Sequence, residues 1–168
     1  LGDSDCVTGI FCAGPKLMSR AEAQDTAVPL SYAQEQMWIL YEMDHSSAAY
    51  SMPSVQWLRG ELCVELLVNA TMAVASSQQS LRTRYGYNED GVPAQWAIRC
   101  CEWEVPVVNR SMGLVAEVNQ LLDKELQTPH ELEIGVVRLL VLQLRLSESE
   151  MVHLVVQNMH HIAGDGVS

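Results

Sequence analysis

Two apolar runs near the end of the chain constrain its fold more than any other feature: VVRLLVLQLRL, residues 136–146, and MVHLVVQNM, residues 151–159. Each reads as a β-strand, and SESE, Ser147 to Glu150, reads as the turn between them. The second run is apolar enough to lie in a sheet with both faces covered. Such a sheet needs helices, and the preceding sequence supplies candidates.

PLSYAQEQMWILYEM opens with Ser31 and Gln34 at capping-box spacing, where two side chains satisfy orphan backbone donors at a helix start. Met37, Leu40 and Tyr41 then fall on one helical face. YSMPSVQWLRGEL has strand character, interrupted by Gly60. LCVELLVNATMAVASSQQ places Leu62, Leu66, Ala70 and Val74 every fourth residue, the pattern of a helix packed on that side. LRTRYGYNEDGVPAQWAI reads as a hairpin about Asn88-Glu89-Asp90-Gly91. EVPVVN is a short strand. In LVAEVNQLLDKELQTP, Val115, Val118, Leu122 and Leu126 share a helical side, bordered by Glu125, and Pro129 follows the helix end. Helices and strands alternate only in part, so the expected class is α/β in the broad sense: an α+β layered sandwich, a mixed sheet flanked by helices.

Residues 1–28 are mostly small or polar, show no period, and read as a linker or flexible lead ahead of a domain at 29–168. A chain of 168 residues has room for about one domain on a prior of roughly 100–200 residues each. With 48% hydrophobic and 18% charged residues it can build a core. The formal charge of -11 and the lack of basic clusters exclude a phosphate-neutralising nucleic-acid binder. Five cysteines without a CxxC pair fit neither a zinc framework nor a disulfide scaffold, and reduced thiols point to a cytoplasmic protein. The start, LGDSDCVTGIFCAGPKLMSR, lacks the layout of a secretory signal, and its first residue, Leu1, suggests an excised piece. No stretch reaches the roughly 18 apolar residues of a membrane span, so no membrane partner is expected.

The chemistry gathers at the end, in NMHHIAGDGVS. Neighbouring strand residues face opposite ways, so one of His160 and His161 can point into a cleft while the other packs behind it. Histidine takes up a proton near neutral pH more readily than any other side chain, which suits acid–base work. Asp165 could orient an imidazole or hold the loop through an arginine, and Gly166 permits close approach. A His-His pair beside a turn also serves purely structural ends. A metal site is disfavoured, because adjacent histidines on a straight strand do not converge on one ion. His45, His130 and His153 lack partners at suggestive spacing and read as surface or packing residues. No nucleophile elbow or assisted cysteine appears.

HHIAGDGVS resembles the HHxxxDG signature of nonribosomal peptide synthetase condensation domains, within the chloramphenicol-acetyltransferase-like superfamily. Other stretches resemble the family in the same order: LSYAQEQMWIL its opening SxAQxRLWxL, LRTRY the end of RHExLRTxF, GVPAQ its G-x-P-x-Q, and TPHELEIGVVRLLVLQL its P-F-D-L and P-L-x-R-x-x-L region. The likeness runs from about Pro29 to Ser168. It implies the N-terminal lobe of a two-lobed, V-shaped fold, with the second lobe absent from this chain.

The resemblance also implies a function. A donor acyl or peptidyl thioester and the amine of an aminoacyl thioester, both on phosphopantetheine arms of carrier proteins, would be joined as an amide. Donor and acceptor peptidyl carrier proteins, neighbouring synthetase domains and the missing C-terminal lobe are the partners implied; no directly bound cofactor and no metal is expected. The family's catalytic second histidine maps onto His161, with His160 in support. The family's aspartate maps onto Asp165, with Arg82 suggested as its ion-pair partner, and its glycine onto Gly166. Ser77, Gln78 and Gln79 stand where the family has RHE, Gln36 replaces its Arg, His130 and Glu131 replace Phe and Asp, and Val167 replaces Trp. These departures admit a divergent, noncatalytic docking or scaffold lobe. Epimerization and ester-forming relatives share the motif, whereas heterocyclization domains replace it. The isolated piece is expected to be inactive.

Overall fold

The computed structural model describes residues 7–10, 26–98, 105–110, 115–147 and 150–164. Its elements are β1 (Val7–Ile10), β2 (Val28–Pro29), α1 (Tyr32–Met43), β3 (Ser51–Arg59), α2 (Val64–Ser77), a 3-10 turn (Gln79–Arg82), β4 (Thr83–Tyr87), β5 (Pro93–Ala97), β6 (Val105–Arg110), α3 (Val115–Gln127), β7 (Val137–Arg145), β8 (Met151–His160) and a closing 3-10 turn (His161–Ala163). Five strands form the main sheet in the order β1-β6-β7-β8-β3, and β2-β5-β4 form a second. Within the main sheet β6 and β7 run parallel and the other neighbours antiparallel. The mixed sheet with flanking helices matches the expected class.

The two apolar runs are β7 and β8, and their alternation explains why both are apolar throughout. On one face Leu140, Leu142, Leu144, Leu154 and Val156 pack with Val108 against Val118, Leu121 and Leu122 of α3. On the other, Leu139, Val141 and Val155 pack with Val107 against Val64, Val68 and Leu67 of α2. Helices therefore lie against both faces, the condition under which strands lose their polar alternation. Each fully buried Leu or Val adds about 1.5–3 kcal/mol.

A third cluster brings Leu30, Trp38, Tyr85, Leu132, Val136 and Ile162 together, with Met37 and Tyr41 packed on it. It ties α1 to the loop before β7 and to the turn after β8. The capping box is present: the Ser31 N–H donates to Gln34 Oε1 at 2.9 Å and the Gln34 N–H to Ser31 Oγ at 3.3 Å. The buried centre of α1 is Trp38, with Met37, Leu40 and Tyr41 partly exposed beside it.

The hairpin forms as expected, β4 against β5, with Gly91 at φ 74° in the turn. Asn88 Oδ1 closes the turn by accepting from the Asp90 and Val92 N–H groups. In β4 a glycine is required for space: a Cβ on Gly86 would lie 2.8 Å from the Trp96 ring.

Two expectations are corrected. On α2, Leu66 is 66% and Val74 54% exposed, while Val64, Val68 and Ala75 are buried. This helix is apolar nearly all round, so a four-residue recurrence can be drawn on either side, and only the sheet decides which is covered. Within the lead at 1–28, Val7–Ile10 is a strand paired with β6, and Val28 belongs to a strand paired with β5. Segments of four and two residues are too short to show a period; their partners define them.

Candidate functional site

The site grows from the end of β8. His160, its last residue, is 5% exposed and lies on the α3 side of the sheet, in line with Leu154, Val156 and Asn158. Its N–H donates to the Val136 carbonyl at 2.8 Å. The chain then tightens into the 3-10 turn. The His161 N–H donates to the Tyr50 carbonyl at 2.9 Å, and the Ile162 N–H donates to His160 Nδ1 at 3.1 Å. With its backbone pinned, His161 stands exposed while Ile162 returns to the core. The two histidines part where the strand ends and the turn begins, one buried and the other exposed.

The His160 ring is caged by rings. His130 stands edge-on at a centroid distance of 5.7 Å, with Tyr41 and Tyr50 each at 6.4 Å. Burial, with His161 adding to it, pushes the His160 pKa down to about 4. Burial also takes His130 to about 4, Arg138 and His160 adding to the effect while Asn158 opposes it. Both rings are therefore neutral at pH 7, and a neutral imidazole is what Nδ1 of His160 needs to accept the Ile162 N–H.

Four separated motifs meet at this turn. Tyr85, from LRTRY, is buried and donates its hydroxyl to the Ile162 carbonyl at 3.2 Å; burial raises its pKa to about 12. Gln34, from the capping box, donates to the Tyr85 hydroxyl at 3.2 Å and to Gln95 Oε1, from GVPAQ, at 3.1 Å. Gln95 in turn donates to Gln34 Oε1 at 2.8 Å and to the Pro29 carbonyl at 3.2 Å. This network runs from the first turn of α1 to the residue after His161.

Arg82 lies in the turn before β4 and donates from Nη1 to the Ile98 carbonyl at 2.7 Å. Asp165 and Gly166 lie outside the described residues. Of the other histidines, His45 stacks edge-on against Tyr41 at 4.5 Å, and His153 is buried with Gln143 at 3.3 Å from its Nε2. His130, read from the sequence as surface or packing, belongs to the cage. Position alone could not reveal it; its one signal is a histidine where the resembling motif carries an aromatic ring.

His130 also walls a cavity of about 520 Å³ with Arg84, Ile98, Ile134 and Arg138; His161 does not line it. The cavity wall is set by Arg138, which ion-pairs with Glu125 at 2.7 Å and donates to the Thr128 and Pro129 carbonyls at 2.6 and 2.8 Å. It thus satisfies carbonyls beyond the end of α3 and anchors the loop that carries His130. This role explains Glu125, the charge beside the apolar stripe of α3. Among the described residues no group of three or more His, Cys, Asp and Glu could hold a metal ion.

An exposed imidazole on a pinned backbone, backed by a neutral buried ring, can exchange a proton with a bound group or hydrogen-bond to developing charge. The mixed sheet with helices on both faces is the fold of solved condensation domains. It superposes on the starter condensation domain of the rhizomide synthetase RzmA with a TM-score of 0.70 at 21% identity, over 85% of this chain and 36% of that one. The first condensation domain of the CDA synthetase matches at 0.66 and 18%, over 82% and 36%. The sequence profile of the condensation domain matches residues 24–168, and the chain belongs to that family.

Relatives include surfactin synthase subunit 2 of Bacillus subtilis (strain 168), 31% identical over 156 residues, which are 92% of this chain and 4% of that protein. Tyrocidine synthase 3 of Brevibacillus parabrevis is 33% identical over 141 residues, 83% of this chain and 2% of that one. The chain thus spans a few percent of these relatives and about a third of the solved domains.

Proposed function

We propose that the chain is the N-terminal lobe of a cytoplasmic condensation domain that forms amide bonds in nonribosomal peptide synthesis. The observation that carries the reading is the split at the end of β8: His160 buried and neutral, His161 exposed beside it on a backbone held by Tyr50. In this reading the nitrogen of an aminoacyl thioester attacks the carbonyl carbon of a donor acyl or peptidyl thioester. The C–N bond forms, the C–S bond breaks, and the amine proton ends on the departing pantetheine thiol. His161 accepts that proton, or hydrogen-bonds to the amine and the tetrahedral intermediate. Holding two tethered reactants in register supplies much of the acceleration.

The partners are donor and acceptor carrier proteins, whose phosphopantetheine arms bring the substrates, together with the second lobe and neighbouring synthetase domains. Asp165 and Gly166 act beside His161, and Asp165 pairs with Arg82; the Arg82 Nε, buried without a partner among the described residues, leaves a donor free for it.

The deciding experiment uses the full-length synthetase and two loaded carrier proteins. His161→Ala is expected to lower product formation by roughly 10²–10⁴-fold. Equal product from parent and variant would overturn catalysis by His161. No product from either would favour the second reading, a noncatalytic scaffold lobe, to which the exposed Ser77, Gln78 and Gln79 in place of the family's charged RHE point.

A further inference from the structure

Among the described residues, the His130 ring both lines the cavity and meets the buried member of the histidine pair. His130 is 3% exposed, and among the described residues neither of its ring nitrogens has a hydrogen-bond partner of good geometry. Asn158, itself fully buried, lies near enough to oppose the fall in its pKa, yet Asn158 Oδ1 likewise lacks a well-aligned partner. The imidazole is therefore held by packing. Among the described residues its ring contact is with His160, at 5.7 Å and 80°.

The geometry of the turn makes that contact matter. His160 Nδ1 accepts from the Ile162 N–H, and this bond spans His161. Rotating the His160 ring, or placing a proton on Nδ1, breaks the bond and removes one of the ties on the backbone that aims His161, beside those to Val136, Tyr50 and Tyr85. Tyr41 and Tyr50 limit the ring at 6.4 Å, and His130 limits it at 5.7 Å. Behind His130 lies the cavity of about 520 Å³. Shortening the side chain would open His160 to that space and to water.

We propose that His130 is a positioning residue of the amide-forming site: it stands between the cavity and His160 and holds the His160 ring against the turn that aims His161. The inference rests on the function proposed above. It assigns His130 no contact with substrate. Among the described residues, the charged and titratable groups facing the pair are His161 on the turn, Tyr41 on α1, Tyr50 before β3, and Arg138 on β7.

The test compares His130→Ala and His130→Phe in the full-length synthetase. The alanine variant should lose roughly 10- to 100-fold in kcat, the scale of a misplaced reacting group, with KM for both loaded carriers changed less than about twofold. Phenylalanine keeps a ring at the contact and should restore kcat to within about threefold of the parent. A crystal structure of the alanine variant should show the His161 ring displaced. A folded alanine variant with kcat and the His161 position unchanged overturns the proposal, as does a phenylalanine variant as slow as the alanine one. Should the alanine variant fail to fold, phenylalanine against leucine at the same position makes the same comparison. If His161→Ala retains full turnover, the role given above to His161 fails; the His161 displacement in the His130→Ala crystal still decides whether His130 positions that ring.

Discussion

The middle of β8 and its end follow different rules. Around Leu154 and Val156 the strand is buried on both faces by aliphatic neighbours from α2, α3 and β7, and the side chains have no polar obligations. Six residues on, around His160, the neighbours are rings and carbonyls from Tyr41, Tyr50, His130 and Val136, and every contact has a direction. Non-directional burial tolerates small shifts and contributes stability in proportion to area. Directional contacts contribute less energy and fix geometry. One strand thus joins the part of the fold held by aliphatic burial to the part where the paired histidines are held by directed contacts.

The sharpest contrast comes from replacing one residue at each end. His161→Ala should abolish most of the turnover while leaving the urea midpoint of the chain nearly unchanged, because the side chain is exposed. Leu154→Ala should do the reverse: about 2–5 kcal/mol of lost stability by urea denaturation, with turnover per folded molecule kept. If Leu154→Ala slowed the folded enzyme as much as His161→Ala, the two ends would not be separable.

A smaller effect should appear with pH. His130 and His160 have folded pKa values of about 4, below the ordinary 6.5 of the unfolded chain. Between those values the unfolded chain binds more protons, so stability is full above about 6.5 and falls as pH drops toward 4. Urea midpoints at pH 7 and pH 5 should therefore differ, the lower at pH 5, and His130→Phe should narrow the gap. The smallest expected change is Ser31→Ala, about 1 kcal/mol from the lost cap, read by thermal melting.

Local features of this fold were legible in the sequence. The Ser31–Gln34 box, the Asn88–Gly91 turn and the two apolar strands each depend on residues close in sequence, and each formed as read. What was not legible depends on which partner arrives. Either face of α2 could have been the inner one. Val7–Ile10 is a strand because β6 lies beside it. The paired histidines stood out in the sequence because they are adjacent, whereas His130 meets His160 across 30 residues, in a loop that Arg138 fastens to the end of α3. The bond from Tyr85 to the Ile162 carbonyl crosses a separation of 77 residues, and no spacing rule reaches that far.

The wiring of Ser31, Gln34, Tyr85 and Ile162 bears on how such a chain matures. The imidazole at 161 takes its aim from atoms synthesised much earlier in the chain, so it acquires that aim only once distant pieces have docked. Long-range closure of this kind is slow relative to helix and hairpin formation. Competence should therefore be among the last properties to appear on refolding, and a lobe carrying an intact histidine motif can still be silent if α1 has not seated.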